Sequence, residues 1–386
     1  MASPSDEVPV VQEVRTGIYR IPIPIPAPLR DVNAYALRGP RGWTLVDTGF
    51  HTAEAEATWR RAFLQLGIGP GNVQAVVVTH FHPDHFGAAG WLQDLTGAPV
   101  LMHDRELELA RRVWQPAAME AYSAFATRHG VPDELATALA RRRQRVLGWV
   151  DPKPRVTPVQ AGQELELGGR RWQVVWVPGH TDGLIVLWQP EEGLLLADDM
   201  VLPGISPNIS AGPQTAADPL GRYLDSLERI GRLPARLVLP GHRQPFTGLA
   251  ARCGELVEHH RRRLEEVEAI VAADGPATAW HVARRLFGRV MDTPANVEFA
   301  LGETVAHLEY LVARDRLRAE PGEGAGGRTG SSGTRPGERR SDADGTPAGA
   351  EGGAGAQGGA KDREPGPRPG ERAPGNRAPL VYRSRA

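Results

Sequence analysis

Residues 76–90 read VVVTHFHPDHFGAAG. Three histidines and an aspartate (His80, His82, Asp84 and His85) stand within six positions, in a chain with 12 histidines in all. A solvated turn would explain their polarity; a metal-binding loop would explain the choice of residue types. AVVVTH (75–80) reads as a buried strand, since a β-branched apolar run of this length suits a sheet interior. On extended backbone His80 and His82 point to the same side, and Pro83 bends the chain so that Asp84 and His85 can turn back. Gly87 and Gly90 let a helix start close against the loop.

The rest of the chain decides between the two readings, because the theme recurs. His180 follows VVWVPG, Asp199 follows LLLAD, and His242 follows LVLPG, so PGH stands at both 178–180 and 240–242. If these strands share a sheet and run the same way, their ends bring the polar residues to one edge. With the first loop this makes seven candidate ligands: His80, His82, Asp84, His85, His180, Asp199 and His242. Five imidazoles and two carboxylates suit zinc, iron or manganese better than calcium or magnesium. They could serve two ions with three or four ligands each. The single cysteine, Cys253, excludes an internal disulfide and a cysteine-based zinc site; it reads as a buried thiol.

Basic and acidic residues balance at 45 and 46, so no global charge points to nucleic acid or an anionic membrane. The amino terminus lacks a signal-peptide pattern and no apolar run approaches membrane-spanning length, which makes a soluble cytoplasmic protein the expectation. Residues 1–13 are expected to be a flexible start. GIYRIPIPIP reads as extended, an edge strand or polyproline segment, because its prolines exclude a helix. NAYALRGPRGWTLVDTG reads as a hairpin and 104–150 as a helical insert over the site. In that insert Trp114, Tyr122 and Phe125 either line a substrate pocket or bury the insert. Residues 251–320 read as three helices and a short basic strand, the outline of a winged-helix module. From Pro321 to Pro379 there is no Leu, Ile, Val, Met, Phe, Trp or Tyr, so 321–386 is expected to be a disordered tail with LVYRSRA as an inert end.

THFHPDH, followed in order by PGHTDG, LLLADD and LPGH, resembles the metallo-beta-lactamase superfamily over residues 14–250. The resemblance implies an α/β fold, an αββα four-layer sandwich with the site at one edge of two sheets. It implies that His80, His82 and His180 hold one metal ion, that Asp84, His85 and His242 hold another, and that an aspartate bridges them. Between Asp198 and Asp199, the distance from His180 and the VLPGISPN that follows favour Asp199 and leave Asp198 where relatives have glycine. Asp47 in LVDTG resembles a structural aspartate beneath the site, orienting the ligand loop. The cofactors implied are two divalent ions, zinc first, with iron or manganese as alternatives. The mechanism implied is attack by a metal-bridging hydroxide, with Asp84 accepting the nucleophile's proton.

Within the superfamily the layout resembles a glyoxalase-II-like or beta-lactamase-like subgroup with a winged-helix-like C-terminal domain. The first expectation is hydrolysis of a thioester or ester of a small metabolite. RNA cleavage is the alternative, with Arg314, Arg316 and Arg318 gripping phosphate. A mononuclear iron enzyme of the persulfide dioxygenase type is a third. The partners expected are a small-molecule substrate, no membrane, and a second copy of the chain as a candidate.

Overall fold

Both faces of β5 (Val73–Val78) are buried: Val76 and Val78 pack into one apolar layer, Val77 into another. A strand apolar on both faces needs cover on each side, and two sheets with outer helices supply it. The computed structural model describes residues 11–26, 29–150, 152–322 and 378–385.

Among these residues seven strands form the first sheet, in the order β1 (Gln12–Arg15), β2 (Ile18–Pro24), β3 (Asp31–Gly39), β4 (Gly42–Val46), β5, β6 (Val100–His103) and β7 (Val156–Val159). Five form the second, in the order β12 (Leu237–Pro240), β11 (Leu194–Asp198), β10 (Ile185–Gln189), β9 (Arg170–Trp176) and β8 (Glu164–Leu167). Tyr35, Val46 and Val77 of the first sheet meet Trp172, Val174, Ile185 and Leu187 of the second in the layer between them. Helices α1 (Ala53–Leu66), α2 (Pro83–Phe86), α3 (Ala89–Thr96) and α4 (Asp104–Val113) contribute side chains to the outer layer of the first sheet. Helices α5 (Ala117–Arg128), α6 (Asp133–Leu147), α7 (Pro219–Ile230), α8 (Leu249–Asp274), α9 (Ala279–Phe287) and α10 (Pro294–Ala313) do so for the second. The αββα expectation holds.

The details correct several readings. The first strand begins at Gln12, inside the expected flexible start; residues 1–10 lie outside the described residues. β2 is flanked by β1 and β3, but β1 pairs only as far as Arg20, so Pro22 and Pro24 keep the edge character their missing N–H requires. The ligand-bearing strands do not share a sheet: β5 lies in the first, β9, β11 and β12 in the second. Pattern alone leaves 203–235 unassigned, where the structure has α7. Asp218 caps it by accepting from Gly221 N–H, Pro219 opens it, and Leu220, Tyr223 and Leu227 are buried at helical spacing.

The inert end is also overturned. Leu380–Ser384 is a strand, β14, paired antiparallel with β13 (Leu317–Pro321). Tyr382 is buried and exchanges both backbone hydrogen bonds with Ala277, at 2.8 and 3.1 Å. The end reads as inert from its terminal position, and that position does not reveal a pairing partner such as β13. The rest of the expected tail, 323–377, lies outside the described residues. Among the described residues no helix is long and apolar enough to cross a membrane.

Between α8 and α10 lies a buried histidine pair, His260 and His307, with Nδ1 and Nε2 3.2 Å apart. Burial holds both down from their ordinary 6.5, His260 to about 2 and His307 to about 4. Both are therefore neutral in the native state. Below pH 6.5 the unfolded chain takes up protons that the folded chain refuses, so stability falls as pH falls toward the folded values. By pH 5 each histidine should cost about 2 kcal/mol. His260→Leu should therefore narrow the gap in urea stability between pH 7 and pH 5 by about that amount; an unchanged gap would contradict the assignment.

Candidate metal centre

The two PGH turns show why this local sequence is needed. Gly179 has φ 144°, and a Cβ there would lie 2.4 Å from the backbone of Tyr223 on α7. A Cβ on Gly241 would lie 2.4 Å from carboxylate oxygens of both Asp198 and Asp199. Only glycine lets each turn bring its histidine in over the strand ends.

All seven residues expected as ligands come together. The ligating atoms of His80, His82 and His180 lie within 4.8 Å of one another, as do those of Asp84, His85 and His242, and those of His80, His85 and Asp199. Asp199 Oδ2 stands between the groups, 3.5 Å from His85 Nε2 and 3.6 Å from both His180 Nε2 and His242 Nε2. Asp84 Oδ2 is 3.4 Å from His242 Nε2. Asp198 turns the other way, toward His80 Nδ1 at 3.0 Å and His85 Nδ1 at 3.2 Å.

The outward partners decide which ring nitrogen faces the centre. His180 Nδ1 meets the Asn208 carbonyl at 3.0 Å and His242 Nδ1 the Asp31 carbonyl at 2.9 Å. A carbonyl only accepts, so these Nδ1 atoms carry a proton and Nε2 is the atom left to face the centre. Asp47 Oδ2 sits 3.2 Å from His85 Nδ1 while its Oδ1 accepts from Thr79 N–H at 2.9 Å, joining the ring to the end of β5. His82 differs: its Nδ1 is the inward atom, 3.0 Å from His80 Nε2.

The electrostatics divide the centre. Burial holds the His82 and His180 imidazoles down, His180 to about 4, so both are neutral donors of lone pairs. Burial also opposes charge on His85 and His242, but the surrounding aspartates outweigh it and hold both well above the ordinary value. In turn His85, with His242 at Asp84 and Asp199 and His80 at Asp198, overcomes burial and holds these carboxyls low. His85 Nε2, His180 Nε2 and Asp199 Oδ1 are buried without a hydrogen-bond partner. Such atoms are costly unless something fills the gap, and convergent imidazole nitrogens with carboxylate oxygens fit divalent transition-metal ions.

Sequence reasoning missed the residues that hold this cluster through backbone atoms. Asn33 and Tyr35 on β3 both donate to the Pro240 carbonyl at 2.8 Å. Glu106 on α4 is fully buried and accepts from the N–H of Phe81, between two histidines, and from the N–H of Gly183, just past His180. No local motif marks it. Glu106→Ala strands two buried N–H groups, each worth about 1–3 kcal/mol, and should weaken metal binding about tenfold or more. Thermal unfolding and chelator competition check this; wild-type values in both would refute the clamp.

Of the insert aromatics, Trp114 and Tyr122 are closed to solvent. Trp114 is buried, donating to the Phe81 carbonyl at 3.0 Å, and Tyr122 is buried beneath Arg143. Phe125 packs partly buried against the same core. These bulky side chains seat the insert against the sandwich, and the burial of Trp114 and Tyr122 favours the packing reading over the pocket for those two.

The fold and the cluster together define a class. Residues 27–242 match the Metallo-beta-lactamase superfamily, and residues 264–327 match the Metallo-beta-lactamase-like, C-terminal domain. The chain belongs to the metallo-beta-lactamase superfamily, and its His/Asp cluster is that of a metallo-hydrolase. Among solved structures it is similar to a metallo-beta-lactamase family protein from Thermus thermophilus, at 36% identity and TM-score 0.72 over 80% of this chain and 97% of that one. A beta-lactamase domain protein from Burkholderia ambifaria matches at 33% identity and TM-score 0.74, over 83% and 94% of the two chains. Among curated proteins, the probable metallo-hydrolase YqjP of Bacillus subtilis (strain 168) is 26% identical over 78% of this chain and 93% of its own length. The atrochrysone carboxyl ACP thioesterase of Aspergillus fumigatus is 22% identical over 70% and 71%.

Proposed function

We propose that the protein is a dinuclear metal-dependent hydrolase acting on a thioester or ester of a small metabolite. The observation that carries the dinuclear reading is the pair of ligand groups with Asp199 Oδ2 between them. His80, His82 and His180 would hold one ion, and Asp84, His85 and His242 the other, with zinc as the expected metal. Two bound divalent ions supply an acidified water nucleophile and polarise the electrophile's oxygen. Asp84 keeps a side chain 20% exposed, against 9% for Asp199 and 3% for Asp198, so it is the carboxylate with access to a reacting molecule. It is suited to take the nucleophile's proton.

The thioester preference draws support from the fungal relative named as a thioesterase. The RNA alternative loses support at two of the three arginines it invoked: Arg314 is paired with Asp218 and Arg316 with Glu268. Metal-loaded protein should hydrolyse an acyl thioester of coenzyme A and leave single-stranded RNA intact, with His82→Ala inactive. RNA cleavage lost in His82→Ala would reverse the substrate assignment; full activity in that variant would remove the metal centre from the chemistry.

A further inference from the structure

The histidines of the centre do not all take their orientation from the same part of the molecule. The Nδ1 atoms of His80, His85 and His242 are met by Asp198, Asp47 and the Asp31 carbonyl, all within the two sheets and their turns. His180 instead meets the carbonyl of Asn208, in the loop between β11 and α7. That loop is held from outside by the C-terminal helices. Arg252 on α8 donates to the Leu202 and Ile205 carbonyls, both at 2.7 Å. Ala211 N–H donates to the Gly302 carbonyl on α10 at 3.0 Å. The Asn208 amide donates to the Phe299 carbonyl and to Glu303 Oε2, each at 3.3 Å. The approach is close: a Cβ on Gly302 would lie 2.7 Å from Ser210 Oγ.

From this we infer that α10 belongs to the metal centre, with Glu303 and Asn208 as positioning residues for His180. Glu303 fixes the Asn208 side chain, which aims the Asn208 carbonyl at His180 Nδ1 and so aims Nε2 at its ion. A second consequence concerns the two ions. Through Glu303 and Asn208, α10 acts on the ion held by His80, His82 and His180, and not on the histidines that hold the other. This gives the C-terminal helices a role in metal retention, where a separate binding module would have none. The inference rests on the proposed assignment of His180 as a ligand.

The test is zinc competition against a chromophoric chelator with the full chain, comparing wild type, Glu303→Ala, Glu303→Gln, His180→Ala and His242→Ala. The two histidine variants identify which binding step belongs to which site. Glu303→Ala should weaken the step that His180→Ala weakens, by about tenfold to a hundredfold as for other outer partners of metal ligands. The His242 step should stay at its wild-type value. Glu303→Gln should stay close to wild type, because its amide oxygen still accepts from Asn208. Equal weakening of both steps, in parallel with a fall in metal-free melting temperature, would reduce Glu303 to general stability and overturn the inference. So would two intact steps in Glu303→Ala. If His180→Ala itself leaves both steps unchanged, the ligand assignment fails instead.

Discussion

Asp199→Ala is expected to lower hydrolytic turnover by about four to six orders of magnitude, the scale seen when a catalytic group acting within a unit is removed. One oxygen of Asp199 stands 3.5–3.6 Å from three inward-facing nitrogens, those of His85, His180 and His242, which belong to both ligand groups. Its removal takes away the anion placed between the two positions and one of the charges that hold His85 and His242 protonated in the metal-free protein. The variant should lose at least one bound ion, with the protein still folded. Asp198→Ala should behave differently, because Asp198 meets ring nitrogens on the outward side. It should weaken metal binding by about tenfold to a hundredfold and keep both ions at high zinc. Were the two variants to exchange these phenotypes, Asp198 would be the bridging residue.

The second large effect lies far from the chemistry. Tyr382→Ala should destabilise the protein by about 3–5 kcal/mol, the cost of truncating a large buried aromatic side chain. Tyr382 is 2% exposed and packs in the cluster that includes Val267, Ala277 and Leu317. Its backbone is bonded to Ala277 on one side while β14 pairs with β13 on the other. Chemical denaturation measures the loss, and a chain ending at residue 378 should lose at least as much. A truncated protein of wild-type stability would return LVYRSRA to the status of an inert end.

What could be read from sequence, and what could not, follows from how each residue acts. The ligands were legible because each stands at the end of an apolar strand, and because THFHPDH carries four of them within six residues. The four layers followed from the resemblance carried by these motifs, while the runs of β5, β10 and β11, apolar on both alternating faces, made their burial legible. Such runs announce burial but not which sheet a strand joins, so the split of the ligand strands across two sheets was not visible. Glu106 and Asn208 escaped for a different reason. Glu106 bonds to backbone 25 and 77 residues away, and the Asn208 carbonyl serves a histidine 28 residues away. Such roles depend on tertiary approach, and a backbone carbonyl carries no residue signature at all. Trp114 and Tyr122 show the reverse case, where composition admits a pocket and packing shows a core.

The central claim is that one chain presents two metal positions with Asp199 between them. Anomalous diffraction at the zinc edge, on crystals of zinc-loaded protein, tests it most directly. The account predicts two peaks, one beside His80, His82 and His180 and one beside Asp84, His85 and His242, with Asp199 next to both. A single peak beside the three histidines, in protein that is fully active, would contradict the dinuclear centre.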